Sequence, residues 1–148
     1  MQLSDLTALS APEQGLVVVA TSRADGSIQS SLVNGGPIRH PVTGEEVFAY
    51  VTYGRAKLAN LRRRPWTTIT ARSGWRWATL EGTVEIAGPD DPLPGVDPAS
   101  IPQLLRDIFV AAGGSHDNWD EYDAVMARER RAAVFVTPTR LYANRSRT

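Results

Sequence analysis

"TYGRAKLANLRRRP" (Thr52–Pro65) is the stretch on which the fold turns. Its middle has helical spacing and Pro65 ends it, yet β-branched runs flank it on both sides. On a wheel of about 100° per residue, Leu58 and Leu61 share a narrow apolar face, with Lys57, Asn60 and Arg64 together beside it. The reading is one short helix set into a chain that otherwise alternates as strands. Its charge runs against expectation. Arg55 and Lys57 occupy the first turn, where the helix dipole disfavours cations by roughly 0.3–1 kcal/mol each. The triple Arg62–Arg63–Arg64 stands at the other end, where cations are favoured, and needs no function. Thr52 is the expected cap, and Gly54 leaves the backbone open to close approach. An anion such as phosphate at the free N–H groups turns the penalty on Arg55 and Lys57 into attraction, with Asn60 as a neutral donor one turn on. Solvated surface charge is the alternative, because exposed-charge effects are small and screened, and sequence physics leaves both open.

Working outward, "GLVVVATS" (15–22) and "SIQSSLV" (27–33) flank the tight-turn signal "ADG" (24–26) and form a hairpin. "NGGPIRHPVTGEE" (34–46) reads as a long connection, and "EVFAYVT" (46–52) as a third strand. After the helix, "PWTTITAR" (65–72) and "WRWATLEGTVEIA" (75–87) are strands, with Gly82 marking a bulge or bend. Residues 88–100 read as an exposed loop. Helical segments follow at 101–114 and 117–131, then one or two closing strands over 132–145. A short helix is expected at 3–9, with Ser4 as its cap. The order is mainly β with α, and short hairpin links favour an antiparallel sheet closed into a barrel with short peripheral helices. No linker or repeat divides the chain, so 1–148 is expected to be a single domain.

The composition narrows the function classes. Of 148 residues, 42% are hydrophobic and 22% charged, and the formal net charge is zero. That balance argues against a general nucleic-acid or anionic-membrane binder. There is no cysteine, which excludes disulfides, thiolate metal sites and a cysteine nucleophile. No apolar run reaches membrane-span length, and the first residues show no basic segment leading into an apolar one, so a cytoplasmic protein is expected. Lys57 is the only lysine; Arg-favouring codon usage accounts for that without function.

Other chemistry is sparse. Trp75 and Trp77 stand two apart on an expected strand, hence on one face, either as core or as a wall for a flat aromatic ligand. Gln29 and Ser31 form a polar pair on one face of their strand, either partly solvated or reading the edge of a heterocycle. His40 and His116 lack metal-ligand spacing, so no metal site is expected. P-loop, GxGxxG and GxSxG patterns are absent. No catalytic acid, base or nucleophile can be named, so any hard chemistry falls to a cofactor.

These motifs together resemble a known family. "RAKxxNLRRxP" (Arg55–Pro65), "GWxxAxxEGT" (Gly74–Thr83), "HxxWDxYxxxMxxxRR" (His116–Arg131) and "PxxLY" (Pro138–Tyr142) are similar to the flavin/deazaflavin split β-barrel superfamily, the pyridoxamine 5'-phosphate oxidase-like or FMN-binding split barrels. Within it the pattern is closest to the actinobacterial reductases that use coenzyme F420. The resemblance implies a cytoplasmic homodimer with the cofactor in a groove at the subunit interface, a small-molecule substrate, and neither nucleic acid nor membrane as partner. Carried over by position, Arg55, Lys57 and Asn60, with Thr52 and Ala56 beside them, hold the cofactor phosphate. Gln29 and Ser31 lie near the ring or its linker, and Trp75 and Trp77 border the groove. The activity implied is hydride transfer from reduced F420 to a small organic acceptor. An FMN-dependent enzyme of the same barrel, or a non-catalytic F420-binding carrier, are the alternatives.

Overall fold

The computed structural model of the chain describes residues 1–144. Its elements in chain order are α1 (Leu3–Ser10), β1 (Leu16–Ser22), β2 (Ile28–Arg39), β3 (Glu46–Thr52), α2 (Arg55–Arg63), β4 (Trp66–Ser73), β5 (Arg76–Ala87), α3 (Ile101–Ala111), α4 (Trp119–Arg128) and β6 (Ala132–Ala143). The six strands close an antiparallel barrel in the order β1-β2-β3-β6-β5-β4, with β4 returning to β1. This is the mainly β architecture expected from the sequence, with the helices outside or across its ends.

The barrel interior is filled by inward-facing residues of every strand, among them Val17, Val19, Phe48, Tyr50, Ile69, Leu80 and Val134. Leu3, Leu6 and Leu9 of α1 join this cluster, as do Leu58 and Leu61 of α2. The narrow apolar face read from the α2 wheel is therefore what anchors that helix. A second cluster lies outside the barrel, where Leu104, Leu105 and Ile108 of α3 and Tyr122 of α4 cover Val47, Ala49 and Phe135. No helix is long and apolar enough to cross a membrane, and no group of His, Asp or Glu suited to a metal occurs among the described residues.

Several local expectations are corrected. The segment 34–46 is not one long connection, because β2 continues through Arg39 and pairs with β3 from Gly35 to Arg39. Its glycines serve packing rather than turning. A Cβ at Gly35 would meet the Phe48 ring at 2.5 Å, and one at Gly36 would meet the Ala111 carbonyl oxygen at 2.2 Å. Pro37 is tolerated because the β1 ladder stops at Asn34, so no β1 residue pairs with that part of β2. At α1 the cap is Gln2 rather than Ser4, and the Asp5 carboxylate accepts from the Gln2 N–H at 2.7 Å. The chain closes with one strand, β6. Gly82 does mark a bulge: the β5–β6 register shifts between Glu81 and Gly82, where a Cβ would fall 2.3 Å from the Thr137 oxygen.

Candidate functional site

α2 lies across the barrel end where β1 finishes and β2 and β4 begin. Its N-cap is Gly54, not Thr52. The Thr52 hydroxyl instead accepts from the Gly54 N–H at 3.2 Å, fixing the residue before the helix rather than a donor within it. No side chain caps the helix, and Leu58 N–H is the first to find an intrahelical carbonyl, that of Gly54. The N–H groups of Arg55, Ala56 and Lys57 are thus left for a ligand or solvent. Gly54 itself has an ordinary φ of −64°, and a Cβ there would meet only normal contacts beyond 3.5 Å. The chain's own packing does not demand glycine at this place, which is consistent with clearance for something outside the chain.

The two cations of the first turn differ in setting. Arg55 is exposed. Lys57 is only 8% exposed, and its ammonium sits 5.7 Å from the centre of the buried Tyr50 ring. Other arginines are neutralised: Arg62 by Asp91, Arg106 by Asp123, Arg130 by Asp90 and Arg131 by Glu129. Among the described residues, neither Arg55 nor Lys57 has such a partner. Burial without a counter-charge holds the Lys57 amine below its ordinary value. Solvated surface charge describes Arg55 but not Lys57.

Asn60 is committed within the chain. Its amide donates to the Thr21 hydroxyl at 3.1 Å and to the Gln29 side-chain oxygen at 3.2 Å, while its oxygen accepts from Arg63 at 3.3 Å. In this conformation it ties α2 to the β1–β2 hairpin. Gln29 and Ser31 pair with Thr21 and Val19, so they lie on the inward face of the sheet. Their neighbours Ile28 and Leu32 point out and are 60% and 65% exposed. The strand therefore turns polar residues inward and apolar ones to the surface, against the usual preference.

Trp75 and Trp77 do not share a strand face. Trp75 belongs to the two-residue turn with Gly74, whose φ is +59°, and only Trp77 is in β5. The glycine-first hairpin tip shortens the strand by one residue relative to the sequence reading. Both tryptophans lie at the end of the barrel away from α2. Arg55, Ala56, Lys57, Asn60, Thr52 and Gln29 are brought together; the indoles are not joined to them within one chain.

Three groups escaped the sequence reading. Asn144 accepts from the Trp77 N–H at 2.9 Å and donates to the Trp75 carbonyl at 2.7 Å, bracing the hairpin end. Arg131 lies 4.1 Å from the centre of the Tyr53 ring, one residue before Gly54. Tyr50 has a fully buried hydroxyl with no partner among the described residues, and burial pushes its ionisation well above the usual phenol range. Each depends on contacts between distant segments, and the sequence alone carries no signal for them.

No family model matches the chain. Comparison with solved structures is more informative. An F420 reductase superposes with a TM-score of 0.62 at 18% identity, covering 96% of this chain and 97% of its own. A pyridoxamine 5'-phosphate oxidase-related, FMN-binding protein of Nostoc punctiforme gives 0.66 at 13% identity, covering 95% and 80%. A heme storage protein of Vibrio cholerae gives 0.55 at 13% identity, covering 96% and 94%. At such identities the likeness speaks for the fold. That fold, six antiparallel strands closed into a barrel with helices across its ends, is the split β-barrel of the pyridoxamine 5'-phosphate oxidase-like proteins.

Proposed function

We propose that this chain is an F420-dependent oxidoreductase whose phosphate site is the N-terminus of α2. The observation that carries the reading is Lys57, a largely buried lysine without a carboxylate partner among the described residues, beside Arg55 and three uncapped backbone donors. A phosphate there supplies the missing counter-charge to all of them at once. Asn60 and Thr52 hold this arrangement in place from behind, through Thr21 and Gln29 and through the Gly54 N–H. When bound, the reduced deazaflavin supplies a hydride to a small organic acceptor. The protein's part is to fix the cofactor and exclude water from it.

Two other readings have support in specific features. A cradle for phosphate does not separate F420 from FMN, so an FMN-dependent enzyme is the first. A non-catalytic F420 carrier is the second, because the same phosphate cradle serves binding without turnover. The pair is expected to work as a homodimer, since the outward residues Leu16, Val18, Ile28 and Leu32 leave an apolar sheet face open.

Fluorescence titration with F420 and with FMN separates the cofactors. Micromolar binding of F420 with weaker or no binding of FMN supports the proposal, and the reverse supports the FMN enzyme. Oxidation of reduced F420 by any member of a panel of enones, quinones and tetrapyrroles establishes catalysis. Binding with no turnover across that panel favours the carrier.

A further inference from the structure

The segment "GPDDPLPGVDPAS" (88–100), read from the sequence as an exposed loop, does more than connect β5 to α3. Together with α3 and α4 it borders a cavity of about 390 Å³. Pro92, Leu93 and Val96 line the cavity from the loop, and Ile101, Leu105 and Met126 line it from the helices. Leu105 is buried in the outer cluster, whereas Leu93, Ile101 and Met126 are only partly covered there.

The loop is fastened in this position at several points. Gly88 and Asp91 exchange backbone hydrogen bonds at 3.0 and 3.1 Å, which closes a turn at its start. The Asp91 carboxylate accepts from Arg62 of α2, and that of Asp90 accepts from Arg130. Gly95, at a φ of +88°, lies so close to the β2–β3 turn that a Cβ there would meet Val42 at 3.0 Å. Pro89, Pro92 and Pro98 fix φ at three further places. A wall held in this way is formed before a ligand arrives, so little ordering cost is set against binding.

The chemistry of the lining selects the ligand. Three charged side chains reach the cavity, Asp91, Asp123 and Arg131, and each already has a partner. Asp91 accepts from Arg62 Nε at 2.8 Å and Asp123 from Arg106 Nε at 2.9 Å. Arg131 Nε donates to Glu129 at 2.8 Å, and its guanidinium covers the Tyr53 ring. A charged ligand would lose water here and meet no unpaired counter-charge among the described residues. What remains is proline rings, aliphatic side chains and the Met126 thioether, which suit apolar carbon and ring faces. The volume stands near the lower end of the roughly 300–1,000 Å³ of small-molecule sites. None of Arg55, Ala56 and Lys57 lines the cavity, so it is separate from the anion site at the start of α2.

We propose that this cavity binds an uncharged, largely apolar molecule of bicyclic size. The inference rests on the cavity alone and not on the cofactor reading above.

N-phenylnaphthylamine, neutral and fluorescent in apolar surroundings, is the probe. It is expected to bind the wild-type chain saturably, one molecule per chain. Ala127→Trp fills the cavity from an exposed helix position on its edge, and Val96→Glu adds a carboxylate to its lining. Each is expected to weaken the probe about tenfold or more while circular dichroism is retained. Anilinonaphthalene sulfonate, which adds a negative charge to the same rings, is expected to bind this site about tenfold more weakly still than the neutral probe, scored as the fluorescence that Ala127→Trp removes. Lys57→Ala and saturating F420 are expected to leave the affinity for the neutral probe unchanged. Absence of saturable binding, binding that neither cavity variant weakens, equal affinity for the sulfonate, or displacement by F420 overturns the inference.

Discussion

Lys57 is the residue on which the proposed phosphate site depends. A largely buried lysine with no counter-charge among the described residues costs the apo fold stability, so Lys57→Met is expected to raise the thermal midpoint while weakening cofactor binding; calorimetry and titration on one preparation check both directions. The pH dependence has a definite sign. Burial lowers the Lys57 pKa from its ordinary value, so the folded state releases this proton before the unfolded chain does. Wild-type stability relative to Lys57→Met therefore improves as pH climbs from the lowered folded value toward that of the unfolded lysine. Phosphate-ligand affinity moves the opposite way, falling as the ammonium is lost, and Lys57→Arg is expected to flatten that fall. The oddness of Arg55 and Lys57 in a first helical turn was legible in the sequence, as was the identity of the sole lysine. Its burial was not, because that depends on Tyr50 arriving from another strand.

For α2 as an element, the separation is between holding the helix and holding a ligand. Asn60 holds the helix. Asn60→Ala removes bonds to Thr21 and Gln29 inside the barrel end and is expected to cost about 1–3 kcal/mol, read by denaturant unfolding. Lys57→Met changes stability in the opposite direction, so the two variants divide structural from binding roles within one helix. β2 makes a parallel point. "NGGP" looks like a breaker because glycine and proline usually are, and only the approach of Phe48 and of α3, with the β1 ladder ending at Asn34, explains why the strand runs through it. Gly36→Ala places a methyl against the Ala111 carbonyl and is expected to destabilise the fold by several kcal/mol, roughly the scale of a core overpacking error. The helix wheel succeeded at Leu58 and Leu61 for the reason it missed the end of β2: helical spacing is local information, and close approach of two backbones is not.

At the scale of the whole molecule, an antiparallel barrel with local hairpins was readable from turn signals, while the strand order that closes it and the outer face were not. Period-two alternation in "SIQSSLV" says that two faces differ, but it does not say that Ile28 and Leu32 face outward. The open apolar face predicts a dimer, and Leu32→Asp with Val18→Asp is expected to shift the chain to a monomer by size exclusion with light scattering, with the barrel's circular dichroism retained.

In the proposed function the N-terminus of α2 binds the cofactor's phosphate through Lys57 and Arg55. Its most direct test is an F420 fluorescence titration of wild type beside Lys57→Ala and Arg55→Ala at low ionic strength. Saturable wild-type binding is expected, with a loss of roughly tenfold or more in Lys57→Ala and a smaller loss in Arg55→Ala because its charge is exposed. Equal affinity in all three would contradict it.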